Sequence, residues 1–259
     1  MKHFKSLLSI VVFALALTFT SCMSNDPTQS GVFLGRAEYG TGLGLQFDVN
    51  GLKVIPTSQA LFTAEKVTSG DIVLFSYSYN SDEQPLTSET KSLTVEVTGV
   101  VNCGNERTMT GMGDGSKENG STFENATIVN MTERNGYYST AFGQYGKNTL
   151  VLPIYFLAKA DLSLHSFALY YDESTVKDSD TEMKLYLRHK SEEKDPTLLV
   201  PALLKAFDIR DAVNDFAAKT GENPKKITIL TNETKVSGSD KLEDANEELG
   251  TYTIDYVTK

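Results

Sequence analysis

The chain has 259 residues, a net charge of −10, 2 cysteines and no tryptophan. That length holds two ordinary domains with substantial cores. The acidic balance argues against nucleic acid as a partner and against docking on anionic lipid through protein charge. The cysteine count excludes a disulfide framework, a C-x-x-C redox pair and zinc spacing.

Lys2 and Lys5 precede an almost wholly apolar run from Leu7 to Leu17. This run is too short for a permanent bilayer helix, which needs roughly 20 residues, and fits the apolar region of a secretory signal peptide. Phe19-Thr20-Ser21-Cys22 closes it, with a small residue just before the cysteine. The closing stretch resembles the lipobox of bacterial lipoproteins. The resemblance implies removal of residues 1–21, a lipid on Cys22, and a protein folded outside the cytoplasm. Loss of Lys2 and Lys5 would take the charge from −10 to −12. Attachment to the membrane would then rest on acyl chains, each buried methylene contributing roughly 0.8 kcal/mol. Cys103 is the remaining cysteine and reads as a buried or strand-end residue, since Arg107 is its only close basic neighbour. Residues 22–30 are polar, contain Pro27 and read as a tether.

From Val32 the pattern is that of strands, expected over Val32–Glu38, Leu43–Val49 and Leu52–Ile55. Asn50-Gly51 supplies a hairpin turn between the second and third, and Pro56 ends the third. One helical turn is expected around Ala60-Leu61-Phe62. After Gly70-Asp71, Val73, Phe75, Tyr77 and Tyr79 alternate with Ser76 and Ser78, the period of a half-buried strand. Leu93, Val95, Val97 and Val101 repeat it opposite Thr94, Glu96 and Thr98. Five strands over residues 31–103 predict a small closed barrel of the OB type. The glycine-rich stretch 104–124 reads as a junction loop. Within it Asp114, Ser116 and Glu118 alternate like a calcium loop but lack the closing acidic residue.

A second domain is expected over residues 125–259, with strands near Ala126–Thr132, Tyr137–Phe142, Thr149–Leu157, Leu164–Tyr171 and Met183–His189. Leu150, Leu152, Ile154 and Phe156 share one strand face. After Pro196 the period changes: Pro201 suits a first helical turn, and Ala206, Ile209, Val213 and Phe216 recur at three- and four-residue intervals. A helix near 201–219 ended by Gly221 follows from that spacing. Strands at Lys226–Leu230 and Tyr252–Val257 flank the acidic run Asp240–Glu248. The whole is an all-β chain: an OB-like barrel, then an antiparallel β-sandwich with one inserted α-helix.

Several stretches together are similar to the NigD-like lipoproteins of Bacteroidetes. They are Asp48-Val49-Asn50-Gly51 leading to Ile55-Pro56, Gly70-Asp71-Ile72-Val73, Leu150–Phe156, His165-Ser166-Phe167-Ala168-Leu169 and Leu185-Tyr186-Leu187-Arg188-His189. The likeness covers most of the chain after Cys22. It implies an N-terminal OB-like domain and a C-terminal β-sandwich, and the family name carries a link to bacteriocin immunity.

Among residues that carry chemistry, His165 and His189 stand out. If Tyr171 opposes Met183 in an antiparallel hairpin, the two histidines face each other beside Phe167, Leu169, Leu185 and Leu187. Two facing imidazoles begin a metal site, for which Asp161 and Glu192 are the nearest further ligands. The competing reading, which we favour, is a pair of strand-end histidines closing the core edge by hydrogen bonds. Arg188, on the other face with Lys184 and Tyr186, reads as part of a solvated surface. Tyr137, Tyr138, Tyr145, Tyr155, Tyr170 and Tyr171 would line a sugar or peptide surface, or serve as ordinary strand residues. No nucleophile elbow, dinucleotide loop or paired-carboxylate signature is present.

The sequence thus predicts no cofactor and no catalytic residue. It predicts a non-enzymatic protein of the bacterial envelope, at the outer membrane, held by a lipid on Cys22 and binding a protein, peptide or glycan. An immunity-type protein that sequesters a toxin or bacteriocin and a surface glycan-binding accessory are the alternatives.

Overall fold

The structure, a computed structural model, describes residues 27–42, 44–113, 123–131, 143–159, 161–194 and 196–258, and only the backbone of Pro201 and Ala202. Residues 1–21, Cys22, the calcium-like Asp114, Ser116 and Glu118, the strand expected at Tyr137–Phe142, and Tyr137 and Tyr138 lie outside these. The chain divides into two compact units, Met1–Asn105 and Glu106–Lys259. The fold is all-β, as the alternation in the sequence requires.

The first unit is a closed barrel of β1 (Thr28–Tyr39), β2 (Leu45–Val49), β3 (Leu52–Pro56), β4 (Ile72–Asn80) and β5 (Ser92–Gly104), in the order β1-β2-β3-β5-β4. β1 starts inside the stretch expected to be tether. Asn50 (φ 53°) and Gly51 (φ 90°) make the β2–β3 turn, with Asp48 Oδ1 accepting from the Gly51 amide at 2.8 Å. Two positive φ values in a two-residue loop match the right-handed strand twist, and Asn-Gly tolerates both. At Gly35 a β-carbon would stand 2.9 Å from Val49 Cγ2, so only glycine lets β1 curl onto β2. Inside, Phe47 packs on Phe62 at 4.6 Å and on Phe75 at 4.9 Å between ring centroids. Phe62 comes from α1 (Ala60–Ala64). Val101, expected on the inner face, is exposed. The β4–β5 register shifts between Ser76 and Tyr77, and a one-residue bulge exchanges the faces beyond it. Cys103 is fully buried at the strand end.

The second unit packs a five-stranded sheet on a four-stranded one. The first has the order β14-β13-β11-β10-β7 and the second β6-β12-β9-β8. Their strands are β6 (Glu106–Arg107), β7 (Met109–Thr110), β8 (Gly143–Tyr145), β9 (Thr149–Ala158), β10 (His165–Tyr171), β11 (Glu182–Ser191), β12 (Leu198–Asp208), β13 (Lys226–Thr231) and β14 (Gly250–Asp255). Part of the expected junction loop 104–124 therefore supplies two short edge strands. Residues 126–131 make only isolated bridges, at Ala126, Ile128 and Asn130. The pairings β9–β12, β10–β11 and β13–β14 are antiparallel. β11–β13 is parallel because the chain visits the other sheet as β12 and returns through a helix.

That helix, α2, covers Arg210–Thr220 and not 201–219. Residues 198–208 form β12 instead: Phe207 lies opposite Leu150 and Leu203 opposite Ile154 in the ladder with β9. Pairing with a buried strand outweighs the helix preference of Leu-Leu-Lys-Ala, and Pro201 falls in the register break between Val200 and Leu203, where a ladder tolerates proline. α2 buries Ala212, Val213 and Phe216, and ends at Gly221 (φ 81°), whose amide donates to the Ala217 carbonyl. The core joins Leu150, Leu152, Ile154 and Phe156 to Leu169, Leu185, Leu187, Ile227 and Ile229.

Candidate functional site

β10 and β11 bring His165 and His189 together, but through a different register. Phe167 opposes His189 and His165 opposes Ser191. The slip relative to the expected pairing is two residues, so every side chain keeps its face and the histidines meet diagonally. The shift arises because β11 runs on past β10 to pair Glu182 and Met183 with Lys226 and Ile227, which buries Met183 completely.

His165 Nδ1 lies 3.0 Å from His189 Nε2, and His165 Nε2 lies 3.1 Å from Glu193 Oε2. At the other end His189 Nδ1 meets the Thr127 carbonyl at 2.9 Å. A carbonyl only accepts, so His189 Nδ1 carries its proton and the neutral ring presents Nε2 as acceptor. His165 Nδ1 must then donate, and its Nε2 faces a carboxylate, another acceptor. Phe167 stacks on His189 at 4.5 Å with an 11° interplanar angle, and Phe156 meets both imidazoles.

Burial pushes the His189 pKa down to about 4, against the Thr127 carbonyl and with help from His165. Partial burial raises Glu193, but the Lys159 amide at 2.7 Å and His165 outweigh it and hold the carboxyl below its usual range. Asp161 is held low by the hydroxyl and amide of Ser163. Glu192 is exposed and lies 3.6 Å from Lys190. Neither completes a ligand set with the histidines, whose facing nitrogens are engaged with each other. No group of three metal-ligating side chains occurs among the described residues. Among the described residues the imidazole nitrogens bond each other, the Glu193 carboxylate and the Thr127 carbonyl.

Beside the cluster, Asn125 and Ser191 exchange two bonds, Asn125 Nδ2 to the Ser191 carbonyl (2.8 Å) and Ser191 amide to Asn125 Oδ1 (2.7 Å). They line an open depression of about 540 Å³ with Glu193, Asp240, Lys241, Leu242 and Glu243. Glu193 and Asn125 escaped sequence reasoning because they sit outside regular strands, and Thr127 because it acts through its backbone carbonyl, which side-chain patterns do not report.

Arg188 is the clear correction. It is not on a solvated face but 2 % exposed, with Nη1 3.0 Å from Glu124 Oε2 and Nε donating to the Met112 carbonyl at 2.7 Å. Asn232 Nδ2 also donates to Glu124. Met112 and Phe123 pack with Ala168, Tyr170 and Tyr186 over that side of the sheet, so alternation located the face but not its cover. Of the two readings of the tyrosines, burial favours ordinary strand residues: Tyr145, Tyr170 and Tyr171 are buried, and burial raises Tyr171 to about 12.

No family model matches the chain, and no curated protein does. Solved structures do. A Bacteroides fragilis protein described as a candidate lipoprotein is 23% identical and covers 89% of this chain and 99% of its own, with a TM-score of 0.71. A DUF1344 protein of unknown function from Bacteroides vulgatus is 15% identical over 88% of this chain and 91% of its own, with a TM-score of 0.55. A Parabacteroides distasonis protein described as a candidate toxin-related protein is 12% identical over 88% and 94%, with a TM-score of 0.50. The chain shares their fold: a barrel followed by a two-sheet unit.

Proposed function

We propose that this chain is a lipid-anchored, non-enzymatic lipoprotein of the bacterial cell envelope, NigD-like in kind, positioned at the outer membrane and binding a protein, peptide or glycan partner. The observation that carries the reading is the apolar run Leu7–Leu17 closed by Phe19-Thr20-Ser21-Cys22. Its support is the fold likeness to the Bacteroides fragilis protein over 89% of the chain. The non-enzymatic part rests on the His165–His189–Glu193 cluster, which spends its donors and acceptors on itself and on backbone. Mass spectrometry of the full chain expressed in a bacterial host tests the anchor. The expected product begins at an acylated Cys22, and an unmodified soluble chain overturns the reading. Turnover of peptidoglycan, glycan or ester substrates by the purified protein would overturn the non-enzymatic part.

The toxin-related Parabacteroides distasonis neighbour favours a second reading, sequestration of a toxin or bacteriocin. Deletion of the gene should then sensitise cells to a specific peptide, and unchanged sensitivity counts against it.

A further inference from the structure

Cys22 precedes Thr28, the first residue of β1, by only six positions. Six residues reach at most ~21 Å when fully extended. A lipid on Cys22 therefore keeps the Thr28 end of the barrel within that distance of the headgroups. Resting on the anchor reading above, we infer that the barrel end closed by residues 81–91 is the surface turned to the bilayer. Its partner is the lipid headgroup layer.

Hydrogen bonds fasten that end of the barrel. The Ser81 amide and hydroxyl both donate to the Pro27 carbonyl at 2.8 Å, so the incoming chain is fastened to this loop. Gln84 bonds Thr94 twice, from Nε2 to the carbonyl (3.0 Å) and from the Thr94 amide to Oε1 (2.9 Å). Leu86 packs on the barrel core beneath. The β1–β2 turn, Gly40–Gly44, lies at the opposite end of β1, about 40 Å along the strand from Thr28. The chain leaves the barrel at Gly104, which pairs with Ile72, itself paired with Arg36. That point stands about 26 Å along β1 from Thr28. Asp82, Glu83 and Glu89 are exposed on the loop against a single Lys91, so the tether and not charge attraction must hold this end near lipid.

The test uses the full lipidated chain in vesicles of phosphatidylethanolamine and phosphatidylglycerol bearing a headgroup-attached energy acceptor. A donor is placed at Ser88→Cys or Gly42→Cys. Both sites are open: Ser88 is exposed and a β-carbon at Gly42 meets nothing within 4 Å, while the native Cys103 is buried. Transfer from position 88 should exceed that from position 42 several-fold, and the ratio should survive added salt. Equal transfer, stronger transfer from position 42, or a ratio that collapses in salt overturns the inference. A chain that does not float with the vesicles overturns it differently, by removing the anchor itself.

Discussion

The interior of the barrel is lined by Phe33, Phe47, Phe62, Phe75, Tyr77, Leu93 and Val95, and none of the described residues that are both polar and buried lies in that unit. In the second unit, two successive residues of β11 point to opposite sides of the sheet, and both are buried: Arg188 under Met112 and Glu124, His189 against Phe156 and Phe167. The interior of the barrel is therefore held by apolar packing. The second unit adds polar groups whose burial is tolerable only while each partner stays in place. One kind of interior degrades gradually under substitution; the other fails at single atoms.

Removing one partner of the buried pair should have the largest effect. Arg188→Ala leaves the Glu124 carboxylate buried without its guanidinium and should cost about 3–5 kcal/mol in the second unit. Arg188→Met with Glu124→Gln should recover much of that, and urea unfolding of the three chains distinguishes the outcomes. Equal losses for the single and double variants would show that packing, not charge, is what the pair supplies. Phe47→Ala should cost about 3–4 kcal/mol in the barrel, by transfer and cavity effects together. Followed by hydrogen exchange, it should loosen residues of the first unit and leave β9–β12 protected. Loosening of both units alike would break the contrast.

The pH dependence belongs to the second unit. His189 has a folded pKa of about 4 against an ordinary 6.5. The unfolded chain therefore binds the proton more readily, and the stability present above pH 6.5 is lost as pH falls from 6.5 through 4. A shift of that size corresponds to about 3 kcal/mol. The lowered Glu193 pKa acts in the same direction at the acid end. An NMR titration should show the His189 ring protons unmoved until about pH 4, and a midpoint near 6.5 would refute the buried neutral ring. The smallest effect is expected at the β2–β3 turn, where Asn50→Ala places alanine at φ 53° and should cost about 1 kcal/mol in the barrel. Thermal unfolding measures it.

How legible all this was depended on the range of the interaction concerned. Val73, Phe75, Tyr77 and Tyr79 announced an inward strand face by alternation, and Asn50-Gly51 announced its turn, because both signals reside in neighbouring residues. The meeting of His165 with His189 followed from strand parity, which a slip of two residues leaves intact. Val101 did not follow, since the bulge at Thr98, between Val97 and Gly99, depends on how β5 wraps the barrel. Nor did residues 198–208: their local preference is helical, and only the ladder offered by β9 makes them a strand. Arg188 shows the same limit, for a polar residue on an outer face is solvated or buried according to what a distant segment lays over it.

By itself, then, the sequence determined the all-β class, the strand faces, the hairpin turn and the export-like N-terminal pattern, all properties of short-range periodicity and composition. The tertiary structure alone decided the β10–β11 register, the helix boundary at Arg210, the partners Glu193 and Thr127 of the two histidines, and the burial of Arg188 against Glu124. Each of those depends on contacts between residues far apart in the chain, and their free energies outweigh local preference only once the two sheets have come together.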